Sequence, residues 1–346
     1  MKKCSDIEGS LTKKRADKTK LADQFDRKIS YLRVSVTDRC NLHCFYCQPD
    51  DISDVLPHKE ILSYEEMYRL IEIAVNLGIR KVRITGGEPL VRKDLLDFIE
   101  KLCKINGLED ISLTTNGIYL KKHIERLYLS GVHRINISMD TLQKNRYRQI
   151  TGVDGFQEVW DAITLAEKIN FKPIKINMVV IKGVNDDEVQ EMALLSQSYP
   201  YHIRFIEYMP VGVKNQHARD YFVPISWIKN QLVKLGRLLP IPKNTHDGPA
   251  DRYKFEGALG EVGFISAISD HFCGTCNKLR LTANGNLKPC LLSNIKENIK
   301  DPMRSGASDD ELASIFIKAI NSKPREHKMN SQKNNFISDQ MFKIGG

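Results

Sequence analysis

The sequence predicts an α/β fold with a parallel sheet or barrel, because strand-like and helix-like segments alternate from Tyr31 onward and glycines stand where helices should end. Strand-like runs begin near Tyr31, Lys81, Asp110, Arg134, Pro173 and Tyr201. The helix-like stretches between them are 64–77, 95–105, 123–129, 156–169 and 187–198. Helices that join successive strands act as the crossover connections that parallel strands require.

Turn and cap residues mark the ends of these segments. Asp94 precedes an apolar helical pattern and is predicted as an N-cap, whereas Gly78 and Gly131 stand at predicted C-caps. The turn Gly86-Gly87-Glu88-Pro89 follows the second strand, and Asn116-Gly117 follows the third. Ligands of parallel α/β folds bind at the carboxyl ends of strands, where paired glycines allow close approach of the backbone.

The strands themselves alternate polar and apolar residues, whereas strands buried on both faces are nearly all apolar. The polar face carries Arg33, Ser35 and Thr37, then Arg83 and Thr85, then Ser112, Thr114 and Asn116, then Asn136, Ser138 and Asp140, then Lys175 and Asn177, and less clearly Arg204. Curled inward, this face lines a cavity, and its cations repel one another unless an anion such as a triphosphate lies between them. The alternative, an antiparallel sheet with a solvated face, is disfavoured by the intervening helices.

Three cysteines, Cys40, Cys44 and Cys47, lie on one short loop after the first strand. Thiolates at this density suit a soft metal or an iron–sulfur cluster. A four-iron cluster normally takes four cysteines, so three would leave one iron open to a small molecule. The alternative is a zinc knuckle with His43 as the fourth ligand.

Composition sets the broad class of the protein. The chain has 346 residues, 41% hydrophobic content, and no apolar run of membrane-spanning length or secretory leader. Six of its eight cysteines fall in two clusters, which favours metal binding in a reducing compartment, here the cytoplasm. The net charge of +9 suits nucleic acid, a membrane surface or a polyphosphate, and composition does not choose among them.

The strand–helix rhythm stops after Pro210, and a second cysteine set follows: Cys273, Cys276 and Cys290. Strand-like runs at 278–282 and 287–291 flank Asn284-Gly285, a strong two-residue hairpin turn. Such a turn would place Cys290 opposite Leu279, close to Cys276. A zinc site completed by His271 is an equally weighted alternative at this set.

Four regions are predicted: a mobile leader at 1–28, a barrel domain at 29–211, a C-terminal cluster and substrate domain at 212–330, and a tail at 331–346. The tail ends in Ile344-Gly345-Gly346. A frayed tail is the default expectation. The alternative is a slim probe that enters a site, because a glycine backbone passes where side chains would not.

Together these residues resemble the radical S-adenosylmethionine (SAM) enzymes, and within them the GTP 3′,8-cyclase family of molybdenum cofactor biosynthesis. The resemblance rests on the two cysteine triplets and the terminal glycine pair, and it runs from about Tyr31 to Gly346. It implies an α/β fold with an incomplete (β/α)6 TIM-type barrel and a C-terminal iron–sulfur domain. It also implies a lyase that converts GTP to (8S)-3′,8-cyclo-7,8-dihydroguanosine 5′-triphosphate.

The resemblance further implies two [4Fe–4S] clusters as cofactors, each with an open iron, for SAM at the first and for the guanine end of GTP at the second. The resemblance implies that the catalytic residues are Cys40, Cys44, Cys47, Gly345 and Gly346. It implies SAM contacts from Tyr46, Gly87, Ser138 and Met209. It implies GTP contacts from Arg33, Arg83, Thr114, Lys175, Arg204, Lys278 and Arg280. The family usually has Asn-Arg-x-Arg where this chain has Asn277-Lys278-Leu279-Arg280. Lysine keeps the charge there but loses the bidentate fork.

The implied partners are GTP, SAM, an electron donor of flavodoxin type, a downstream cyclic pyranopterin monophosphate synthase and a second copy in a homodimer, with no membrane or nucleic acid. Three rival functions stay open at this point. The nearest is a peptide-modifying radical SAM maturase with an auxiliary cluster, which should not need so many inward cations. The others are a zinc-stabilised nucleic-acid-binding protein and a simple electron carrier.

Overall fold

A computed structural model describes residues 21–47, 55–212, 220–242, 248–329 and 337–345. The strands in these ranges are β1 Tyr31–Ser35, β2 Lys81–Thr85, β3 Asp110–Thr115, β4 Arg134–Ser138, β5 Ile174–Val180, β6 Tyr201–Glu207, β7 Leu238–Ile241, β8 Asp251–Phe255, β9 Glu261–Ile265, β10 Lys278–Leu281, β11 Asn286–Lys288 and β12 Glu297–Asn298. They form one sheet in the order β12-β11-β10-β1-β2-β3-β4-β5-β6-β9-β8-β7. The predicted α/β architecture with a parallel central sheet is therefore confirmed.

The helices in the same ranges are α1 Tyr64–Leu77, α2 Leu95–Leu102, α3 Leu120–Leu129, α4 Lys144–Thr151, α5 Phe156–Lys168, α6 Val189–Ser198, α7 Ile225–Leu232, α8 Lys300–Arg304, α9 Asp309–Asn321 and α10 Met341–Ile344. Each predicted helix is present, with ends shifted by a few residues. Helix α4 was not predicted, because its buried residues are only Tyr147, Ile150 and Thr151 in an otherwise polar segment.

Strands β1 to β6 are parallel and lie side by side in chain order. Parallel crossovers are right-handed, so a sheet wound in one direction carries its helices on one face only. The apolar residues of each strand, such as Leu32, Val82 and Ile135, are buried on that face. The opposite face keeps the polar residues, as the alternation predicts.

Strands from the C-terminal half extend both ends of this central sheet. Strand β10 pairs in parallel with β1 and aligns Arg280 with Arg33, while β9 pairs in parallel with β6 and aligns Gly263 with Arg204. The chain after Pro210 is thus not a separate layer. It places the second cysteine set next to the first strand.

The helix ends agree with most of the predicted signals. Gly78 ends α1 with a φ of +127°, and Gly131 follows α3 with a φ of +93°, both in the region that favours glycine. Asp94 does stand at the N-cap of α2, but its side chain makes no capping hydrogen bond and its backbone is left-handed. The prediction was right in position and wrong in mechanism.

The hairpin between β10 and β11 differs from the predicted one by a single residue. Arg280 pairs with Lys288 and Leu281 with Leu287. The Thr282 amide donates to the Asn286 carbonyl oxygen, and the Thr282 hydroxyl accepts from the Asn286 amide. Three residues therefore lie in the loop, and the predicted pairing of Cys290 with Leu279 was wrong. The loop is closed by Gly285, whose φ of +73° lets the third loop residue be left-handed.

The chain is already packed before the predicted leader boundary at residue 28. Arg27 is buried and donates hydrogen bonds to the carbonyl oxygens of Cys273 (2.8 Å) and Pro324 (2.7 Å), and Asp23 pairs with it at 2.6 Å. Residues 1–20 of that predicted leader lie outside the described ranges. No helix within those ranges combines the length and apolar character needed to cross a membrane.

Candidate functional site

A cavity with about 2310 Å³ of empty space, including its mouth, lies on the polar face of the sheet. It brings together the two cysteine sets and the inward cations. The predicted site residues that line it are Arg33, Cys40, Cys44, Tyr46, Cys47, Arg83, Gly87, Thr114, Ser138, Lys175, Arg204, Met209, Cys273, Cys276, Lys278, Arg280 and Cys290. Gly345 lies beside the cavity, and Gly346 is outside the described ranges.

The first cysteine loop is tied to the barrel by its backbone. The amide of His43 donates to the carbonyl oxygen of Thr151 (2.8 Å), and that of Phe45 donates to Ile150 (3.2 Å) at the end of α4. The unpredicted helix therefore supports the loop. Within the loop, the amide of Cys47 donates to the carbonyl oxygen of Cys44 (2.9 Å), which keeps the turn tight.

The Gly86–Pro89 turn packs its backbone directly against the residues that precede the loop. The amide of Gly87 donates to Thr37 and that of Glu88 donates to Arg39, both at 2.7 Å. A Cβ atom on Gly87 would lie only 2.4 Å from the carbonyl oxygen of Arg39. Glycine is therefore required here by backbone approach, and this contact sets the position of the cysteine loop.

Buried carboxylates surround the first cysteine set. Glu88 accepts from the Thr115 hydroxyl (2.8 Å) and the Asn116 amide (2.6 Å), and burial raises its pKa to about 7. Asp140 accepts from the Tyr46 hydroxyl (2.6 Å), and burial raises its pKa to about 6. Because these acids face the thiols, they add to burial in disfavouring thiolates.

The thiol pKa values reflect that environment. Burial raises the pKa of Cys40 to about 11, with a contribution from Glu88. Burial, Cys40 and Asp140 raise the pKa of Cys47 to about 12. The pKa of Cys44 is also raised, by burial and by the neighbouring Cys47 and Asp140. Free of metal, the set is a group of neutral thiols that must lose protons to bind one.

The second cysteine set lies among cations. Lys323 is buried, and its ammonium donates to the carbonyl oxygens of Lys278 (2.8 Å) and Pro289 (2.5 Å) and to the Cys276 thiol. Burial raises the pKa of Cys276, but Lys278 and Lys323 outweigh it and lower that pKa to about 7. Burial raises the pKa of Cys273 and Cys290.

All seven cysteines in the described ranges are free thiols. Within these ranges, no three side chains among Cys, His, Asp and Glu are close enough together to hold a single metal ion. The zinc sites that would use His43 or His271 are therefore not preformed in the described part of the chain.

Cations form the floor of the cavity between the two cysteine sets. Burial and the neighbouring Arg280 lower the pKa of Arg33 to about 9. Burial and Arg83 lower that of Arg204 to about 9, and burial and Arg204 lower that of Lys175 to about 5. Burial is the larger cause of these lowered pKa values, repulsion between the cations adds to it, and an anion bound between these groups would offset both.

Sequence reasoning missed three residues of this floor, namely Tyr31, Lys81 and Arg134. Asp110 holds the two cations, at 2.7 Å from Lys81 and 3.0 Å from Arg134. Each missed residue stands two positions before a residue that was identified, on the same face of the same strand. Extending the alternation to the start of each strand would have found them.

The tail reaches the edge of the cavity. Helix α10 contributes Met341 and Phe342 to its lining, and the Arg280 guanidinium donates to the carbonyl oxygen of Gly345 (2.5 Å). Gly345 has a φ of +71°, and a Cβ there would lie 2.3 Å from the Thr85 hydroxyl oxygen. Gly345 is therefore packed where only a glycine fits.

A partial barrel with three thiols after its first strand is the architecture of the radical SAM superfamily, and the model of that superfamily matches residues 34–195. The model "Molybdenum Cofactor Synthesis C" matches residues 201–329. Among curated proteins, the GTP 3′,8-cyclase of Thermodesulfovibrio yellowstonii is 48% identical over 307 residues, which cover 88% of this chain and 95% of that protein. That of Heliobacterium modesticaldum is 48% identical over 327 residues, 94% of this chain and 100% of that protein. The chain belongs to the GTP 3′,8-cyclase family.

Solved structures support the fold. Streptococcus suis SuiB bound to S-adenosylmethionine superposes with a TM-score of 0.55 at 17% identity, over 84% of this chain and 67% of that one. Native anSMEcpe with bound AdoMet gives a TM-score of 0.55 at 16% identity, over 86% of this chain and 82% of that one. At these identities the similarity concerns the fold alone.

Proposed function

We propose that this protein is a GTP 3′,8-cyclase, a lyase that converts GTP to (8S)-3′,8-cyclo-7,8-dihydroguanosine 5′-triphosphate with SAM as cosubstrate. The observation that carries the proposal is one cavity in which inward cations lie between two separate sets of three free thiols. Family membership at 48% identity supports the same substrate. In this proposal the reaction is the first step of molybdenum cofactor biosynthesis.

Cys40, Cys44 and Cys47 are proposed to hold a [4Fe–4S] cluster. The donor set fits, because three thiols on one loop leave one iron without a protein ligand for SAM. When bound and reduced, such a cluster with SAM supplies the radical chemistry that removes a hydrogen from an unactivated carbon. The chain's own part is to shape the loop through the Gly87 contact with Arg39.

Four residues near this loop are proposed to bind SAM: Tyr46, Gly87, Ser138 and Met209. Tyr46 is held in place by its hydrogen bond to Asp140, and Ser138 ends β4 just before that acid. The buried carboxylate gives this end of the cavity a negative character once ionised. A sulfonium cation is the ligand charge that fits it.

The cationic floor is proposed to bind the triphosphate of GTP. Arg33, Arg83, Lys175 and Arg204 come from four strands of the sheet and converge in the cavity. Thr114, Lys278 and Arg280 complete the proposed nucleotide contacts, of which Lys278 supplies a positive charge without the bidentate fork of an arginine. Holding the nucleotide at several points fixes its sugar relative to SAM, which is the main task of a protein in radical chemistry.

Cys273, Cys276 and Cys290 are proposed to hold a second [4Fe–4S] cluster, whose open iron faces the guanine. Three free thiols without a fourth cysteine nearby among the described residues make the donor set fit. Gly345 and Gly346 are proposed to act at the same end, since Gly345 already contacts Arg280. The proposal also includes an electron donor of flavodoxin type, a downstream cyclic pyranopterin monophosphate synthase, a homodimer and a cytoplasmic location.

The test is anaerobic turnover of the reconstituted protein with iron and sulfide measured in the same sample. We expect about eight irons per chain if both sets hold clusters, and 5′-deoxyadenosine formation that requires GTP and yields the cyclised nucleotide. A Cys44→Ser variant is the control for background SAM breakdown. Colourless, zinc-loaded protein, or 5′-deoxyadenosine formed only with a peptide, would contradict the proposal.

A further inference from the structure

A buried ion pair attaches the C-terminal tail to the domain that carries the second cysteine set. The side chain of Lys288 is fully buried, and its ammonium contacts the Asp339 carboxylate and the carbonyl oxygen of Ser293 (3.0 Å). The residue that pairs with this buried lysine, Asp339, belongs to the tail. We call the pair Lys288–Asp339 the latch.

The latch joins the two segments that matter most at this end of the cavity. Lys288 ends β11 and stands two residues before Cys290, and Asp339 stands six residues before Gly345. A shift of the tail at Asp339 would therefore be passed through the single turn of α10 to the glycine.

Weaker contacts align the tail on either side of the latch. Ile337 forms a parallel bridge with Val211, and its carbonyl oxygen accepts from the Gly212 amide (3.0 Å). Ile344 packs in a small apolar cluster with Val211 and Leu292. These apolar contacts are buried, but apolar packing is not directional and carries no charge, so the buried ion pair adds a constraint on the position of the last turn that they do not supply.

We propose that Lys288 and Asp339 are positioning residues, which hold the tail so that Gly345 lies against Arg280 and Thr85. The physical reason is that a lysine buried without its partner is strongly unfavourable, so the pair has one stable arrangement. Burial also protects the latch from screening by salt, unlike an exposed pair. The cavity is then complete on the side of the second cysteine set only when the latch is closed.

The chain supplies a matched control on the same carboxylate. Lys296 lies 3.3 Å from Asp339, but its side chain is 47% exposed, whereas that of Lys288 is 0% exposed. Exposed pairs contribute little to stability. If the latch acts through burial, removing Lys296 should leave the tail in place.

The first measurement is independent of activity. Asp339→Asn keeps the side-chain shape and removes the charge, and we expect amide hydrogen exchange at residues 341–345 to rise about tenfold. Trypsin should also cut after Lys343 faster, as followed by intact mass. Lys296→Met should behave as wild type, and Asp339→Glu should restore protection. Equal protection in Asp339→Asn and wild type, or equal loosening in Lys296→Met, would overturn the latch.

The second measurement rests on the proposed function. In Asp339→Asn we expect iron content and 5′-deoxyadenosine formation near wild type, with about tenfold less cyclised nucleotide per 5′-deoxyadenosine. The double variant with Lys288→Met should lose little more than the worse single variant, since the two residues act through one another. A loosened tail with an unchanged product ratio would overturn the positioning role. Failure of the wild type to cyclise GTP would instead overturn the proposed function, and the exchange data would still decide the latch.

Discussion

The two cysteine sets have the same donor chemistry and opposite electrostatic surroundings. Around the first set, burial, Glu88 and Asp140 hold the thiol pKa values high. Beside the second set, Lys278 and Lys323 overcome burial and lower the pKa of Cys276 to about 7. Both sets line the same cavity. The difference in pKa therefore comes from the charged residues that lie beside each set.

This contrast supports the proposed placement of SAM near the first set and of GTP near the second. A cationic sulfonium is favoured next to buried carboxylates, and a polyanionic nucleotide is favoured next to buried cations. The same cysteine count can therefore serve two tasks without any difference in the thiols themselves. The predictions below test that division, beginning with the largest expected effect.

Replacing one cysteine of each set should separate the two tasks completely. In Cys44→Ser, we expect SAM cleavage to fall below detection with about half the iron retained, since the second cluster remains. In Cys276→Ser, we expect a similar loss of iron, continued 5′-deoxyadenosine formation and no cyclised nucleotide. Cys103→Ser is the control, because Cys103 donates to the carbonyl oxygen of Ser130 outside the cavity. Loss of SAM cleavage in Cys276→Ser as complete as in Cys44→Ser would contradict the division.

A single added methyl group should damage the first set and spare the second. Gly87→Ala places a Cβ 2.4 Å from the Arg39 carbonyl oxygen, whereas Gly274, between Cys273 and Cys276, has no atom within 4 Å of its Cβ position. We expect Gly87→Ala to cost ~1–3 kcal/mol of unfolding free energy and to lower iron at the first set. Gly274→Ala should change neither quantity measurably. Thermal denaturation and iron analysis check both variants, and equal behaviour of the two would show that backbone approach does not set the loop.

Most of the barrel and of the cavity could be predicted from the sequence because they follow period-two alternation. Arg33, Arg83 and Lys175 were found in this way, since one strand face determines where each side chain points. The missed Lys81 and Arg134 follow the same period and lie at the ends of strands, where propensity signals are weakest.

Other features depended on contacts that no local pattern contains. The packing of Arg27 against Cys273 and Pro324 joins residues 246 and 297 positions apart. The hairpin register depended on one loop residue, and Asn-Gly is compatible with both two-residue and three-residue loops. Tertiary context decided these cases, as it did for the latch between Lys288 and Asp339.

Removing one cation from the floor of the cavity should weaken nucleotide binding. Lys175→Met keeps the length of the side chain and removes its charge, and we expect the Kd for GTP to rise about 10- to 100-fold, as for the loss of a charge-assisted hydrogen bond. SAM binding, measured in parallel by calorimetry, should not change, because the first set lies among acids. An equal loss of affinity for both ligands would indicate a general structural effect and would contradict the charge division.

Nucleotide binding should also take up a proton. Burial and Arg204, with Arg134, Arg83 and Lys81, lower the pKa of Lys175 to about 5 in the free protein, so the amine is largely neutral at pH 7. A bound triphosphate raises the pKa of Lys175, so the protein takes up a proton when the nucleotide binds. The affinity for GTP therefore falls as the pH rises above about 5. Calorimetry in buffers of different ionisation enthalpy measures the uptake. Lys175→Met should abolish this contribution, and proton release in the wild type would show the sign to be wrong.

The smallest effect is expected from Lys323, which contacts the second set without belonging to it. Its ammonium donates to Cys276 and to the carbonyl oxygens of Lys278 and Pro289, which accounts for all three of its hydrogens. A buried positive charge and a hydrogen bond to sulfur both favour the more negative, reduced state of a cluster. We therefore expect Lys323→Met to lower the midpoint potential of the second cluster, measured by redox titration in a Cys44→Ser background that lacks the first. Lys318→Met, in which a 70% exposed lysine on α9 is removed, is the matched control and should leave the potential unchanged. A potential that is equally insensitive to both substitutions would mean that the cations at this end act on the nucleotide and not on the metal centre.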